Sequence, residues 1–394
     1  MVEGHAQVIL TVKAGYAAPA PPPCFAWPPL KGRIVSRVQT RHTPAMRKSI
    51  VTLSALLLAS ASAVLGQASA NQAAGRTAPS PLAPSEIVAK LPKADWTGIA
   101  QSDLLVMDLA PVAKGKARRV VIQLMPPPFS QGWIGNIRKL AAAHWWDGTA
   151  VNRVQDNYVV QWGDPNADDK AKAKALPAGL VTVPESEYTV QADHTLSGMG
   201  PVVHEPDVRQ ISGIDRYAPA TGFAWGWPLG LERRHGRFSA RDLKRGPQSN
   251  VSLAWPVHCY GMVGVGRDLS PNTGTGAELY TVIGHAPRHL DRNIALVGRV
   301  IEGIEHLSSL PRGHGGLGFY DLAQGDERTA IVSIRLASEM PTDKPFPAYE
   351  YLSTESQSFA AYADARANRR DAFFIRPAGG ADICNIPVPV RRVK

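Results

Sequence analysis

One charged side chain, Arg153, stands inside an otherwise apolar segment, AVNRVQDNYVVQWGDP at residues 150–165. Two runs rich in β-branched and aromatic residues flank an Asp-Asn turn, which predicts two antiparallel strands. If residues 155–157 form a three-residue loop, Arg153 pairs with Val159, and both share a face with Gln161. An arginine beside a glutamine at the rim of an apolar groove is a hydrogen-bond donor that faces a ligand.

The same hairpin admits a second interpretation. A buried arginine without a carboxylate partner is costly, whereas an arginine on the solvated face of a strand has no cost and no function. The hairpin by itself leaves both interpretations open.

The sequence motifs of covalent and cofactor-dependent enzymes are missing or incomplete, so none of them indicates an active site elsewhere in the chain. The chain has no G-x-S-x-G nucleophile elbow, and no G-x-G-x-x-G motif follows a predicted strand. His285 and His289 have the i, i+4 spacing of a zinc site, but Pro287 lies between them and no glutamate follows His285. The sequence therefore predicts neither a metal nor a cofactor.

The hairpin resembles the signature of a known family. Residues 151–164 read V-N-R-V-Q-D-N-Y-V-V-Q-W-G-D and resemble the cyclophilin signature F-H-R-x-x-x-x-F-M-x-Q-G-G-D. Arg153 stands at the catalytic arginine of that family. Tyr158 and Val159 stand at two residues of its proline pocket, and Gln161 stands at its groove glutamine.

Two further blocks follow in the order of that family. VGRDLSPNTGTGAELYTVI is similar to M-A-N-x-G-x-N-T-x-x-S-Q-F-F-I, and HLDRNIALVGRV is similar to W-L-D-G-K-H-x-V-F-G-R-V. Glu278 replaces a glutamine, His289 a tryptophan and Ile294 a histidine. The resemblance implies that both blocks line the substrate groove, through Gly266, Arg267, Glu278, Tyr280, His289, Leu290 and Ile294.

The resemblance implies a peptidyl-prolyl cis-trans isomerase acting on proline-containing polypeptides. Rotation about an amide bond faces a barrier of about 18–20 kcal/mol. No covalent bond forms or breaks, so the reaction needs no nucleophile, metal or cofactor. By the same resemblance, the proline ring binds an apolar pocket, and Arg153 donates a hydrogen bond toward the prolyl nitrogen in the twisted state.

Glu278 is the departure from the family pattern with the most direct consequence. A carboxylate at this position can form an ion pair with Arg153 and hold the guanidinium away from the prolyl nitrogen. If it does so, Glu278→Gln raises the activity.

Two other functions compete with the isomerase. One is a cyclophilin-like module that binds peptides or envelope partners with little catalysis, which the substituted pocket and a long insertion favour. The other is an unrelated exported β-barrel scaffold, in which the three blocks match by chance.

The pattern of elements predicts a mainly β fold. Apolar runs at residues 103–109, 118–125 and 329–337 read as strands, as do the hairpin and the two later blocks. Two helical stripes interrupt them, Ile134, Ile137, Leu140 and Ala141 in the first and Val300, Ile304 and Leu307 in the second. We expect a closed antiparallel, cyclophilin-like β-barrel capped by two helices.

The composition divides the chain into segments. The cyclophilin-like domain is predicted over residues 96–337, and residues 165–260 within it are predicted to be an insertion with some structure of its own. A flexible lead-in is expected over residues 71–95. Residues 338–394 are expected to form a C-terminal extension whose helix packs on the barrel.

A leader determines the expected compartment. MRKSIVTLSALLLASASAVLGQASA, residues 46–70, has the basic start, apolar stretch and A-x-A site of a secretory signal peptide. We expect a periplasmic or secreted protein without membrane insertion after cleavage. Residues 1–45 precede this signal. Our hypothesis is that Met46 is the true start, and a cytoplasmic tail before a membrane anchor is the alternative.

Charge and cysteines give weaker information. The net charge is +10, but residues 1–70 carry seven of the basic residues and one acid, so the remainder carries only +4. We therefore predict no nucleic-acid binding. After cleavage, Cys259 and Cys384 remain. They can form one disulfide or stay as two buried thiols, and we favour the thiols.

Overall fold

The computed structural model describes residues 81–111, 115–191, 215–233, 251–341 and 346–393. The predicted signal peptide, residues 46–70, and residues 1–45 lie outside them. The strands are β1 Trp96–Ile99, β2 Leu104–Leu109, β3 Arg118–Leu124, β4 Ala150–Val154, β5 Val159–Gly163, β6 Val190–Gln191, β7 Ala220–Ala224, β8 Trp227–Arg233, β9 Val251–Pro256, β10 Met262–Val265, β11 Leu279–Val282, β12 Leu296–Glu302, β13 Ile331–Leu336, β14 Tyr349–Leu352 and β15 Val390–Arg392. The α-helices are α1 Pro84–Ala89, α2 Gln131–Ala142, α3 Glu305–Ser308 and α4 Gln357–Ala367. None of these helices is long and apolar enough to cross a membrane.

Eight strands form one antiparallel sheet in the order β13-β2-β3-β12-β10-β11-β5-β4. Its two edge strands meet at a bridge between Ala150 and Ala330. Hydrogen bonds from Val151 N to Thr329 O (2.9 Å) and from Ile331 N to Thr149 O (2.8 Å) flank that bridge. The predictions of a mainly β fold and of an antiparallel barrel are therefore confirmed, and the barrel is nearly closed.

The strand β2 is apolar on both of its faces, and the structure shows why. Leu105 and Met107 point into the barrel core. Leu104 and Val106 point outward into a second core that includes Tyr349 of β14. The cover is a three-stranded sheet in the order β1-β14-β15. Since successive residues of a strand face opposite sides, a strand covered on both sides is apolar throughout.

The segment 165–260 contains a four-stranded antiparallel sheet in the order β6-β9-β8-β7. This sheet contacts the C-terminal extension. The ring of Phe223 meets that of Phe359 on α4 at 4.9 Å between centroids, and Gly226 N donates to Thr354 Oγ1 at 3.0 Å. This sheet therefore shares a core with the rest of the described protein.

The second predicted helical stripe is wrong in its first part. Val300 belongs to β12 and pairs with Ile122 of β3. The strand ends before Gly303, whose φ is +83°, and α3 then spans only Glu305–Ser308. Val300 precedes Ile304 by four residues, the spacing of a helix, but pairing with β3 overrides that local pattern. The first stripe lies on α2, which packs against β13.

The segments at the N-terminal and C-terminal ends of the described chain pack against each other, which the sequence did not indicate. The expected flexible lead-in over 71–95 contains α1, which packs against α4, while residues 71–80 lie outside the description. The strand β1 pairs with β14, Trp96 opposite Leu352. The predicted boundary at 337 therefore separates β1 from the two strands with which it shares a sheet.

Cys259 and Cys384 form a disulfide with 5.1 Å between their Cα atoms. The expectation of two buried thiols was wrong, because the sequence does not reveal that the end of the C-terminal extension returns to the loop before β10. The bond ties that extension to the barrel.

Candidate active site

The hairpin β4–β5 carries Arg153 in a register that differs from the predicted one. Arg153 pairs with Gln161 rather than Val159. The loop lies one residue later than expected, since Gln155 N donates to Val159 O at 2.9 Å and Asn157 takes the left-handed φ of +50°. Because Val159 and Gln161 are two residues apart, this shift leaves the same side chains on the same face.

A groove of about 310 Å³ opens beside this face. Its apolar side is a small core of its own, formed by Val159, Tyr280, Val282, Leu290 and Ile294, with Tyr158 packed against it. The structure places nine of the eleven predicted site residues on the groove wall: Arg153, Tyr158, Val159, Gln161, Gly266, Arg267, Tyr280, Leu290 and Ile294.

Arg153 is only 1 % exposed, and three neutral oxygens accept its hydrogen bonds. Nε donates to Leu317 O at 2.7 Å, Nη1 donates to Gln161 Oε1 at 3.1 Å, and Nη2 donates to Gln155 Oε1. Burial lowers the pKa of Arg153 from its usual value, yet a guanidinium stays protonated in proteins. Since a guanidinium has five N–H groups, two donors remain for a ligand.

Two aromatic rings fix the plane of this guanidinium. Its central carbon lies 5.5 Å from the ring centroid of Tyr158 and 5.3 Å from that of Phe319. Both distances fall in the range of cation–π attraction. The cation is therefore held by neutral groups, and no carboxylate cancels its charge through any of these contacts.

Glu278 does not bind Arg153 directly, so the expected ion pair is corrected. Gln161 lies between them: its Oε1 accepts from Arg153, and its Nε2 donates to Glu278 Oε1 at 2.8 Å. Burial raises the pKa of Glu278 to about 7, and the hydrogen bond from Gln161 opposes that shift. The carboxylate thus orients the glutamine amide instead of restraining the arginine.

Glu278 lines a second groove of about 780 Å³, which shares Gly266 and Arg267 with the first. Gly266 N donates to the backbone oxygen of Glu278 at 2.8 Å, so that N–H is not free for a substrate backbone. Arg267 Nε donates to Asn293 O at 2.9 Å. These two residues form the ridge between the grooves.

His289 does not line the first groove, which corrects its predicted place. Its side chain is exposed, and its ring is nearly parallel to that of Tyr158, 6.5 Å away between centroids. It supports the outer side of Tyr158.

Sequence reasoning missed four groups at this site: Gln155, Val282, Leu317 and Phe319. Val282 was detectable, because it follows Tyr280 by two residues on the same strand. Gln155 lies two residues from Arg153 and was assigned to the loop. Leu317 contributes a backbone oxygen, which has no sequence signal.

The groove, the arginine and the barrel agree with one family. The model of the family described as "Cyclophilin type peptidyl-prolyl cis-trans isomerase/CLD" matches residues 132–329, half of the chain. The chain belongs to this family. It is therefore a cyclophilin, and its enzyme class is that of the peptidyl-prolyl cis-trans isomerases.

A solved structure shows the same fold. A cyclophilin from Hirschia baltica, AquaCyp293, aligns with a TM-score of 0.53 at 20% identity, over 75% of this chain and 93% of that one. A cyclophilin-type isomerase from Cryptosporidium parvum has a TM-score of 0.31 and 12% identity, over 59% and 96% of the two chains. No curated protein matches this cyclophilin.

Proposed function

We propose that this cyclophilin isomerises prolyl bonds of exported polypeptides, with Arg153 as the catalytic residue. The observation that carries the proposal is the pair of unused N–H donors on a buried guanidinium, next to an apolar pocket in one groove. The pocket binds the proline ring, and the donors lie on the same wall as that ring.

The chemistry follows from the electronics of the prolyl bond. In the planar amide, the nitrogen lone pair is delocalised and accepts hydrogen bonds poorly. In the twisted state, the lone pair localises, so a hydrogen bond from Arg153 strengthens only there and lowers the barrier. The three protein acceptors hold the donor in place beforehand, which avoids reorganisation during the reaction.

Substitution of Arg153 tests the role of this residue. A hydrogen bond from a charged group contributes about 1.5–3 kcal/mol, so we expect Arg153→Ala to lower kcat/KM by about 10- to 150-fold. A protease-coupled assay on a proline peptide measures this. Arg119→Ala is the matched control, because Arg119 pairs with Asp108 on the protein surface. Unchanged activity of the Arg153 variant contradicts the assignment.

A binding module with little catalysis is the second candidate, and one observation favours it. Each nitrogen of the Arg153 guanidinium already donates to a protein oxygen, which leaves less freedom to follow a moving prolyl nitrogen. The same assay separates the two. A proline peptide that binds tightly without faster isomerisation supports the module.

Export is supported by the signal-like segment at residues 46–70 and by the disulfide between Cys259 and Cys384. Disulfides persist in oxidising compartments such as the periplasm. N-terminal sequencing of the mature protein tests both the compartment and the start. We expect a chain that begins near Asn71, and a chain that retains residues before Met46 contradicts the proposal.

A further inference from the structure

A row of buried polar side chains lies behind the pocket residue Tyr280. The Tyr280 hydroxyl is 2.8 Å from His258 Nε2, and His258 Nδ1 is 2.9 Å from Asp291 Oδ1. His258 is fully buried, and the exposed fractions of Tyr280 and Asp291 are 4 % and 3 %. Asp291 Oδ1 also accepts the backbone N–H of His258 at 2.9 Å.

The chemistry of these groups determines the direction of each hydrogen bond. A carboxylate only accepts, so His258 Nδ1 carries the proton and donates to Asp291. Burial lowers the pKa of His258, which keeps the imidazole neutral. Its Nε2 therefore accepts from the Tyr280 hydroxyl. The Tyr280 ring is thus held at its far end by a directional bond.

The fold makes room for this hydroxyl at one glycine. Gly264 on β10 pairs with Tyr280 on β11. A Cβ atom at Gly264 would lie 2.3 Å from the Tyr280 hydroxyl oxygen. The absence of a side chain here lets the tyrosine reach His258.

The row continues into the insertion through a buried arginine. Arg288 is 3 % exposed; its Nε donates to Asp291 Oδ2 at 2.6 Å, and its Nη1 donates to Asp215 Oδ2 at 3.0 Å. Asp215 belongs to the insertion, and its carboxylate also accepts the backbone N–H of Tyr217 at 2.8 Å. One continuous set of hydrogen bonds therefore joins the insertion to the proline pocket.

We call this set the Tyr280 network, and its members are Asp215, Arg288, Asp291, His258 and Tyr280. We propose that the Tyr280 network positions the ring of Tyr280, so that the insertion sets the affinity of the pocket for proline peptides. The inference rests on the proposed function, since it takes the groove beside Arg153 as the substrate site.

The cost of burying charged groups explains why a substitution at Asp215 affects Tyr280 at the other end of the network. Arg288 is a buried cation between two carboxylates, and removal of one charge leaves it with a single ionic partner. It then reorients on Asp291, whose other oxygen orients His258. Polar groups in such a buried network depend on one another because unpaired ones are costly.

The test measures the dissociation constant of a proline peptide by NMR titration, and the cis-trans exchange rate at saturation in the same samples. Asp215→Asn keeps an oxygen for the turn at Tyr217 but removes the charge. We expect it to raise the dissociation constant about 3- to 10-fold, within the usual range of coupling between networked residues. The exchange rate at saturation should stay within about twofold, because Arg153 and its partners are intact.

A double-mutant cycle shows whether the effect passes through Tyr280. Tyr280→Phe removes the hydroxyl and keeps the ring, and we expect a similar loss of affinity. In that background, Asp215→Asn should have no further effect. Asp169→Asn is the matched control, because Asp169 lies in the same insertion and pairs with exposed Lys172. The proposal is overturned if the two substitutions raise the dissociation constant multiplicatively in the double variant. It is also overturned if Asp215→Asn binds the peptide as tightly as wild type does.

One measurement needs no substitution and remains decisive if a variant fails to fold. The ¹⁵N shifts of His258 in the wild-type protein report which ring nitrogen carries the proton. The proposal requires the neutral tautomer with the proton on Nδ1, and a proton on Nε2 overturns it. A wild-type protein that binds the peptide without accelerating exchange contradicts the isomerase proposal instead, and the affinities still test the network.

Discussion

Arg153 is a buried cation whose charge is not neutralised by any of its direct hydrogen-bond partners. Its partners are two glutamine side chains and one backbone oxygen, all neutral. A direct carboxylate partner would lower the cost of burial, but in the proposed mechanism it would also compete with the prolyl nitrogen for the donors. Neutral acceptors orient the guanidinium and leave its full positive charge beside the pocket.

Glu278 gives a pH-dependent prediction. Its pKa in the folded protein is about 7, above the usual 4.5, so the folded state holds the proton more tightly than the unfolded state. The free energy of unfolding therefore falls as pH rises from about 4.5 to about 7. Glu278→Gln removes this fall, so the variant should gain about 1–3 kcal/mol relative to wild type between pH 5 and pH 8. Urea unfolding at both pH values measures it.

Glu278→Gln also tests whether Glu278 acts on Gln161 rather than directly on Arg153. Because Gln161 separates it from Arg153, the expectation of higher activity has no structural basis. The amide oxygen that Glu278→Gln introduces can still accept from Gln161, so we expect kcat/KM to change by less than about threefold. A large rise would restore the idea that the carboxylate restrains the arginine, and an equal stability difference at both pH values would contradict the raised pKa.

At the scale of elements, the turn of the hairpin β4–β5 rests on the chain that follows β11. Ile283 N donates to Tyr158 O at 2.8 Å, and His285 N donates to Asn157 Oδ1 at 2.8 Å. A Cβ at Gly284 would lie 2.0 Å from the backbone carbon of Asn157. This close approach fixes where Tyr158 meets the groove.

Gly284→Ala should therefore move the hairpin β4–β5 away from the chain that follows β11. Overpacking against backbone typically costs about 1–3 kcal/mol, and the displaced Tyr158 should also weaken peptide binding. Thermal unfolding and a peptide titration measure the two effects. Gly135→Ala on α2 is the matched control, because a Cβ there meets no atom within 4 Å. That variant should gain about 0.5–1 kcal/mol of stability. Equal stability of the two variants would contradict the packing argument.

At the scale of the whole molecule, the disulfide joins residues separated by 125 positions. Cross-linking so long a loop restricts the unfolded chain, and loss of a native disulfide costs about 2–5 kcal/mol. We expect the double variant Cys259→Ser, Cys384→Ser to unfold at a lower temperature than wild type. Reductant should lower the unfolding temperature of wild type and leave the double variant unchanged. If reductant also lowers the unfolding temperature of the double variant, the effect does not come from this disulfide.

Recognition from the sequence worked where the signal was local. The alternation of side chains along the hairpin predicted that Arg153, Val159 and Gln161 share a face. The predicted pairing was wrong by two residues, but a shift by an even number leaves the same side chains on that face. The strands of the barrel were detectable from their apolar runs. The pairing of β1 with β14 was not, because two short segments about 250 residues apart carry no shared pattern.

By itself, the sequence determined the alternation of side chains along each strand and the blocks that identify the family, since both depend on neighbours in the chain. The tertiary structure decided which oxygens hold Arg153, what Glu278 contacts and which hydrogen bonds connect Asp215 to Tyr280. Those contacts join residues that are distant in sequence. Hydrogen bonds act over about 3 Å, so only the packed fold determines which of them form.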